Sequence, residues 1–318
     1  MPKRSATVIA ILGLVALSAL AVSLVSVPGV SQAATSHDEK APTFYLSLGD
    51  SYSVGFQPTA ISSTDPTGGT PGYTAYIANH EQMTLENFGC GGATTSSIIG
   101  TIGCKDPAAF DAVLYPTTTQ EQAALDFIAA HPGQVGLITI SIGGNDVTGC
   151  TQSNATAAAA CLMTADKKIT TNVTSLVSSL NTALSSAGDT VRIVGLTYPD
   201  VILGAYVNPG GAAAQALAAQ SVQAFDLLIN PTLKSAYTSG VPDGIFVNVT
   251  DAPFRRASSG ADTPLTLTHK TKKFGVIPVA VHEICQLTYF CSLQNIHANT
   301  RGYRFIGKLI VAALNPDG

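Results

Sequence analysis

The strongest constraint on this chain is a repeated alternation. Short apolar runs stop abruptly at glycine, aspartate or asparagine, and longer stretches with helical spacing lie between them. Phe44–Gly49, Thr84–Phe88, Val135–Ile142, Val191–Thr197 and Gly244–Val249 read as strands. Tyr73–Ala78, Thr117–Ala130, residues 155–187 and Ala212–Leu228, the last continuing beyond Pro231, read as helices. The longest carries Ile169, Val173, Leu176, Val177, Leu180 and Leu184 at helical spacing and stops at Gly188. Val135–Ile142 is almost wholly apolar, as a strand covered on both faces must be. This alternation predicts an α/β fold of three layers, α/β/α, around a five-stranded, mostly parallel sheet. In such a sheet ligands bind where strands end at their carboxyl edge.

The 318 residues suffice for one large α/β domain, and no change of composition divides them. Lys3-Arg4, the apolar run Ala6–Val27 and the small residues of Val30–Ala34 have the layout of a secretory leader, so residues 1–33 are expected to be a signal peptide. The run is long for that purpose, and an uncleaved membrane anchor is the alternative. Residues 34–42 are expected to be a disordered lead-in, with the domain over 43–318. Six cysteines in three sequence-local pairs fit an oxidising compartment, and no Cys-x-x-Cys metal spacing occurs. Several connectivities are allowed; the local one, Cys90–Cys104, Cys150–Cys161 and Cys285–Cys291, is the simplest. Charged residues make up only 11% of the chain and the net charge is −4, which argues against a nucleic-acid partner. The one basic cluster, His269–Lys273, reads as a solvated loop. Assembly leaves no trace in the sequence, and a monomer is expected.

Ser51 is the first candidate for chemistry, because Gly49-Asp50-Ser51 closes the first strand; the alternative is an ordinary turn in which Ser51 caps a helix. A serine nucleophile needs a general base, and histidine is the usual one. Of six histidines, His297 alone lies between the Cys285–Cys291 pair and a helix start, with Asn299 or Thr300 as the cap of a last helix through Leu314. Acyl transfer also needs donors for a developing oxyanion. Gly92, in Gly91-Gly92-Ala93-Thr94-Thr95, and Asn145, in Gly143-Gly144-Asn145-Asp146, suit that need; a turn glycine and an Asx turn are the alternatives.

The order of the blocks Gly49-Asp50-Ser51-Tyr52, Gly92-Ala93-Thr94-Thr95, Gly143-Gly144-Asn145-Asp146 and His297 resembles that of the SGNH hydrolases, also called GDSL lipases and esterases, over residues 43 to about 315. The three cysteine pairs resemble those of secreted actinobacterial-type members. The resemblance implies a flavodoxin-like fold, hydrolysis of carboxylic esters through an acyl-enzyme, a small or lipid ester as substrate with transient contact with lipid surfaces, and no metal or organic cofactor. It implies Ser51 as nucleophile, His297 as base, and the Ser51 and Gly92 N–H groups with the Asn145 side chain as oxyanion hole. The family often has Asp three residues before the histidine and Pro after it; here Gln294 and Ala298 stand there. The histidine is therefore expected to lean on a backbone carbonyl, on Gln294 or Asn295, or on a distant carboxylate such as Glu283, with an amide or backbone acceptor favoured. Removal of acetyl groups from carbohydrate and a non-catalytic cell-surface binding role are the competing functions.

Overall fold

A computed structural model describes residues 43–316 except 64, 66, 107–111, 153–154, 240, 242–243 and 252–264. The expected signal peptide and lead-in lie outside the described residues. The elements in order are β1 (Phe44–Gly49), α1 (Gly72–Glu81), β2 (Thr84–Asn87), α2 (Thr95–Gly100), α3 (Gln120–Ala130), β3 (Val135–Ser141), α4 (Gly144–Thr148), α5 (Ala155–Ala187) and β4 (Arg192–Leu196). A 3-10 segment (Val201–Val207) leads to α6 (Ala212–Ala224), which passes through a π-helical turn (Phe225–Ile229) into α7 (Asn230–Thr238). Then follow β5 (Ile245–Val247), β6 (Thr268–Thr271), β7 (Gly275–Pro278), α8 (Val279–Leu287), α9 (Phe290–Leu293) and α10 (Thr300–Leu314).

The main sheet has strand order β2-β1-β3-β4-β5, and every pairing in it is parallel. This is the flavodoxin-like order, in which the direction of winding reverses between β1 and β3 and opens a crevice at their carboxyl ends. Successive strand residues face opposite sides, so each side has its own core. Leu46, Leu48, Ile138, Ile140 and Ile193 pack with residues of α2, α3, α5 and α7. Tyr45, Leu137, Val194 and Leu196 pack with residues of α1, α8 and α10. Tyr45, Leu46 and Ile138 have no exposed surface, as strands covered on both faces require.

Several local expectations change in the structure. The basic cluster is exposed as expected, but only Lys272 and Lys273 lie in a turn; His269, Lys270 and Thr271 lie on β6, which pairs with β7 in a separate antiparallel ribbon. Ser51 caps no helix. Residues 51–55 form consecutive turns, with Phe56 N donating to Ser51 O at 3.0 Å, and the first helix starts at Gly72. The helix at the C-terminus has the expected cap: Asn299 Oδ1 accepts from Arg301 N and Gly302 N at 3.0 and 3.1 Å.

Candidate active site

The site is built at the crevice between β1 and β3. Gly49 ends β1 beside Ser141 of β3, and a Cβ there would lie 2.1 Å from Ser141 O, so only glycine permits the strands to close together. Gln120, at the start of α3, fastens that corner: its Oε1 accepts from Gly49 N at 2.6 Å and its Nε2 donates to Gly49 O at 3.1 Å. Asp50 N donates to Ser141 O at 3.0 Å. The turn that follows presents Ser51, which is partly exposed, above a fully buried Asp50.

His297 enters from the other end of the chain. Its Nε2 is 2.7 Å from Ser51 Oγ, and its Nδ1 is 2.8 Å from Asn295 Oδ1. The same Oδ1 accepts from His297 N at 3.1 Å, so the atom turned toward the imidazole is the amide oxygen, which only accepts. Nδ1 therefore carries the proton, and Nε2 presents its lone pair to the serine hydroxyl. Among the acceptors considered from sequence, Asn295 is the one in contact. Gln294 is instead the left-handed residue that ends α9, with φ 53°, and its backbone N–H donates to Phe290 O. Glu283 lies within α8 and makes no hydrogen bond to His297.

Three neighbours hold the histidine loop. The Cys285–Cys291 disulfide ties α8 to α9. Tyr289 N donates to His297 O at 3.0 Å. Tyr52, next to Ser51 in sequence, donates its hydroxyl to Ile296 O at 2.6 Å, linking the serine turn directly to the histidine loop. The Phe56 and Tyr52 rings lie 4.5 and 5.7 Å from the imidazole, centroid to centroid. Burial among them lowers the His297 pKa to about 4, because the charged imidazolium loses its water.

Gly92 and Asn145 reach the same place. Gly92 has φ +73° with open space where a Cβ would stand, so its backbone conformation, not crowding, calls for glycine. Cys90, two residues earlier, is bonded to Cys104. Asn145 opens α4 after β3; its Nδ2 donates one hydrogen to Ala93 O at 2.8 Å and keeps the other. Asp146 reinforces the link by accepting from Thr95 N and Thr95 Oγ1 at 2.8 and 2.7 Å. Among the described residues, Ser51 N and Gly92 N have no hydrogen-bond partner.

Asp50 is a titratable group that the sequence did not single out. One oxygen accepts from Tyr52 N at 2.9 Å and the other from Tyr198 Oη at 2.6 Å. Burial raises its pKa to about 7, with the Tyr198 and Tyr52 bonds opposing the shift. Gly144 lies against the Tyr198 ring, where a Cβ would come within 3.0 Å of it. Among the described residues no cluster of three or more His, Cys, Asp or Glu side chains is placed to hold a metal ion.

Ser51 stands between two hollows. One, of about 360 Å³, is mostly apolar and includes Leu162, Ile202, Leu217, Ala224, Phe225 and Ile229. The other, of about 570 Å³, includes Thr67, Gly92, Lys105, Asp106 and His297. Ser51, Asn145 and Ile296 line both. Thr67, Lys105 and Asp106 come from loops, Val201 and Ile202 from the 3-10 segment, and Leu162 and Leu217 from α5 and α6.

The all-parallel sheet in the order β2-β1-β3-β4-β5, covered by helices on both faces, defines a three-layer α/β architecture of the flavodoxin-like order. The chain belongs to the GDSL-like lipase/acylhydrolase family, whose model matches residues 47–305, and it is a carboxylic ester hydrolase. No curated protein matches it. Similar solved structures include an extracellular lipase from Streptomyces rimosus, at 18% identity over 85% of this chain and 99% of that one, with a TM-score of 0.45. A carbohydrate acetylesterase from Sinorhizobium meliloti is 14% identical over 85% and 99% of the two chains, with a TM-score of 0.43. An acetyl-xylooligosaccharide esterase from Geobacillus is 15% identical over 86% and 94%, with a TM-score of 0.43. Likenesses this distant carry nothing about substrate.

Proposed function

We propose that the protein is an exported serine esterase that works through an acyl-enzyme on Ser51. The observation that carries this reading is the line Asn295 Oδ1, His297 Nδ1, His297 Nε2, Ser51 Oγ, with contacts of 2.8 and 2.7 Å. His297 takes the serine proton as Oγ bonds to the ester carbonyl carbon. The negative charge moves onto the carbonyl oxygen, where Ser51 N, Gly92 N and the free Asn145 hydrogen receive it. The tetrahedral centre collapses with cleavage of its bond to the alcohol oxygen, and His297 gives its proton to that oxygen. Water then attacks the acyl-enzyme by the same route, releasing the acid and restoring Ser51.

Asn295 holds the imidazole in the required tautomer, but a neutral amide stabilises the imidazolium less than a carboxylate does. The site is thus a serine–histidine dyad oriented by an amide. The three disulfides favour an oxidising compartment, as does the signal peptide expected from sequence over residues 1–33; among the described residues no helix is long and apolar enough to cross a membrane.

Replacing Ser51 by Ala tests the reading. Hydrolysis of p-nitrophenyl acetate is expected to fall at least about a thousandfold with the circular dichroism spectrum unchanged. Undiminished hydrolysis by folded Ser51→Ala protein would contradict it, and no hydrolysis by the wild type would favour the non-catalytic binding role. The hollow containing Thr67, Lys105 and Asp106 also suits a polyhydroxylated alcohol, which keeps carbohydrate acetylesterase as a second reading; acetylated xylan and acetylated chitooligosaccharides test it.

A further inference from the structure

The geometry points to a division of the substrate: the cavity under α6 takes the acyl chain of an unbranched fatty acid of medium length, and the alcohol lies on the opposite side of Ser51. This rests on the serine-esterase reading and goes beyond it by naming the acid.

The direction follows from the position of the base. His297 must protonate the leaving oxygen, so the alcohol has to depart on the side where His297 stands. His297 lines the hollow with Thr67, Lys105 and Asp106 and does not line the apolar cavity. With the carbonyl carbon at Ser51 Oγ, the remaining substituent, the acyl chain, is directed to the other hollow. That hollow is chemically suited to it: Leu162, Ile202, Leu217, Ala224, Phe225 and Ile229 offer no hydrogen-bonding side chain.

The helix beside the cavity is shaped for the same purpose. In an unbroken α-helix the residue four after Ala224 is Leu228, which would share its face. The π turn at Phe225–Ile229 adds a residue to that turn, and Ile229 reaches the cavity instead. Asn230 N donates to Phe225 O in the widened turn, so the backbone bond is retained. Ser221, the buried polar residue on this face, has its hydroxyl committed to Asp200 Oδ2 and Ala218 O at 3.0 and 2.9 Å; Gln220 and Thr148 add polar groups to a lining that is otherwise mostly apolar.

Size limits the chain. At about 30 Å³ per group, near the share one water takes in the liquid, the 360 Å³ cavity holds on the order of ten methylenes. Acetate would leave most of it unfilled.

Two isomeric esters, ethyl octanoate and octyl acetate, place the same long chain on opposite sides of the carbonyl, and their hydrolysis can be followed by alkali uptake. Ethyl octanoate is expected to have a kcat/KM at least about tenfold higher, with a gain of roughly two- to fourfold per methylene along the ethyl esters up to octanoate. Ala224→Trp, which fills the cavity, is expected to lower the ratio of ethyl octanoate to p-nitrophenyl acetate kcat/KM by at least roughly tenfold. Should that variant not fold, free octanoate against free acetate as competitive inhibitors of the wild type reads the same site, with octanoate the tighter. Equal or better hydrolysis of octyl acetate, a flat chain-length series, an unchanged ratio in folded Ala224→Trp, or equal inhibition by the two acids would each overturn the assignment. Any of these alongside Ser51-dependent hydrolysis of p-nitrophenyl acetate would leave the esterase reading standing; loss of that hydrolysis in the wild type would remove both.

Discussion

At the scale of single residues, the proposed chemistry turns on His297. Its pKa, lowered to about 4 by burial, keeps the imidazole neutral and able to accept a proton well below pH 6. The acid limb of kcat/KM is therefore expected near pH 4, and a limb at the ordinary histidine value near 6.5 would contradict the buried geometry. Asn295 offers a sharper test. Asn295→Asp puts a carboxylate against Nδ1, which should favour the imidazolium and move the acid limb upward by about one unit or more, while Asn295→Ala should cut kcat by roughly tenfold or more. Ser51, Gly92, Asn145 and His297 were legible in the sequence because each stands in a local block with its own turn chemistry. The choice between Gln294 and Asn295 was not. It depends on α9 ending with Gln294 in a left-handed conformation, which turns the next residue toward the imidazole.

At the scale of elements, the site depends on loops fastened to one another across large distances in sequence. Tyr52 Oη to Ile296 O joins positions 244 residues apart, and Gln120 to Gly49 joins positions 71 apart. No period or motif marks such partners, which is why Tyr52 and Gln120 escaped notice while the elements that carry them did not. The strands of the main sheet and the long helix α5 were legible from apolar spacing; the β6–β7 ribbon was hidden because β6, Thr268–Thr271, is polar on both faces and β7 is only four residues long. Tyr52→Phe removes the tether and is expected to cost about 1 kcal/mol of stability and to lower kcat by roughly tenfold with a smaller change in KM, measured by urea unfolding and p-nitrophenyl butyrate kinetics. A variant with wild-type kcat would mean that the Cys285–Cys291 disulfide and the α10 cap suffice to hold His297. That cap has its own expected cost: Asn299→Ala should lose about 1 kcal/mol.

At the scale of the whole molecule, Asp50 is a buried titratable group beneath Ser51. Burial raises its pKa to about 7 from the ordinary 3.8, so between those pH values the native state holds a proton that the unfolded chain has released. That contribution to stability is present at low pH and is lost as pH rises to about 7, flat beyond it. His297, shifted the other way, acts in the opposite sense between about pH 4 and 6.5, so the wild-type profile alone mixes the two. Comparison with Asp50→Asn separates them: the melting-temperature deficit of the variant is expected to narrow as pH rises from about 4 to 7, and a constant or widening deficit would contradict the buried-acid account.

The central claim is that Ser51 is a nucleophile activated by His297, and active-site labelling tests it most directly. Wild-type protein treated with a fluorophosphonate is expected to gain one phosphonyl group, with peptide mapping placing it on Ser51, and His297→Ala protein is expected to label far more slowly. Absence of labelling in folded wild-type protein, or labelling at another residue, would contradict the account.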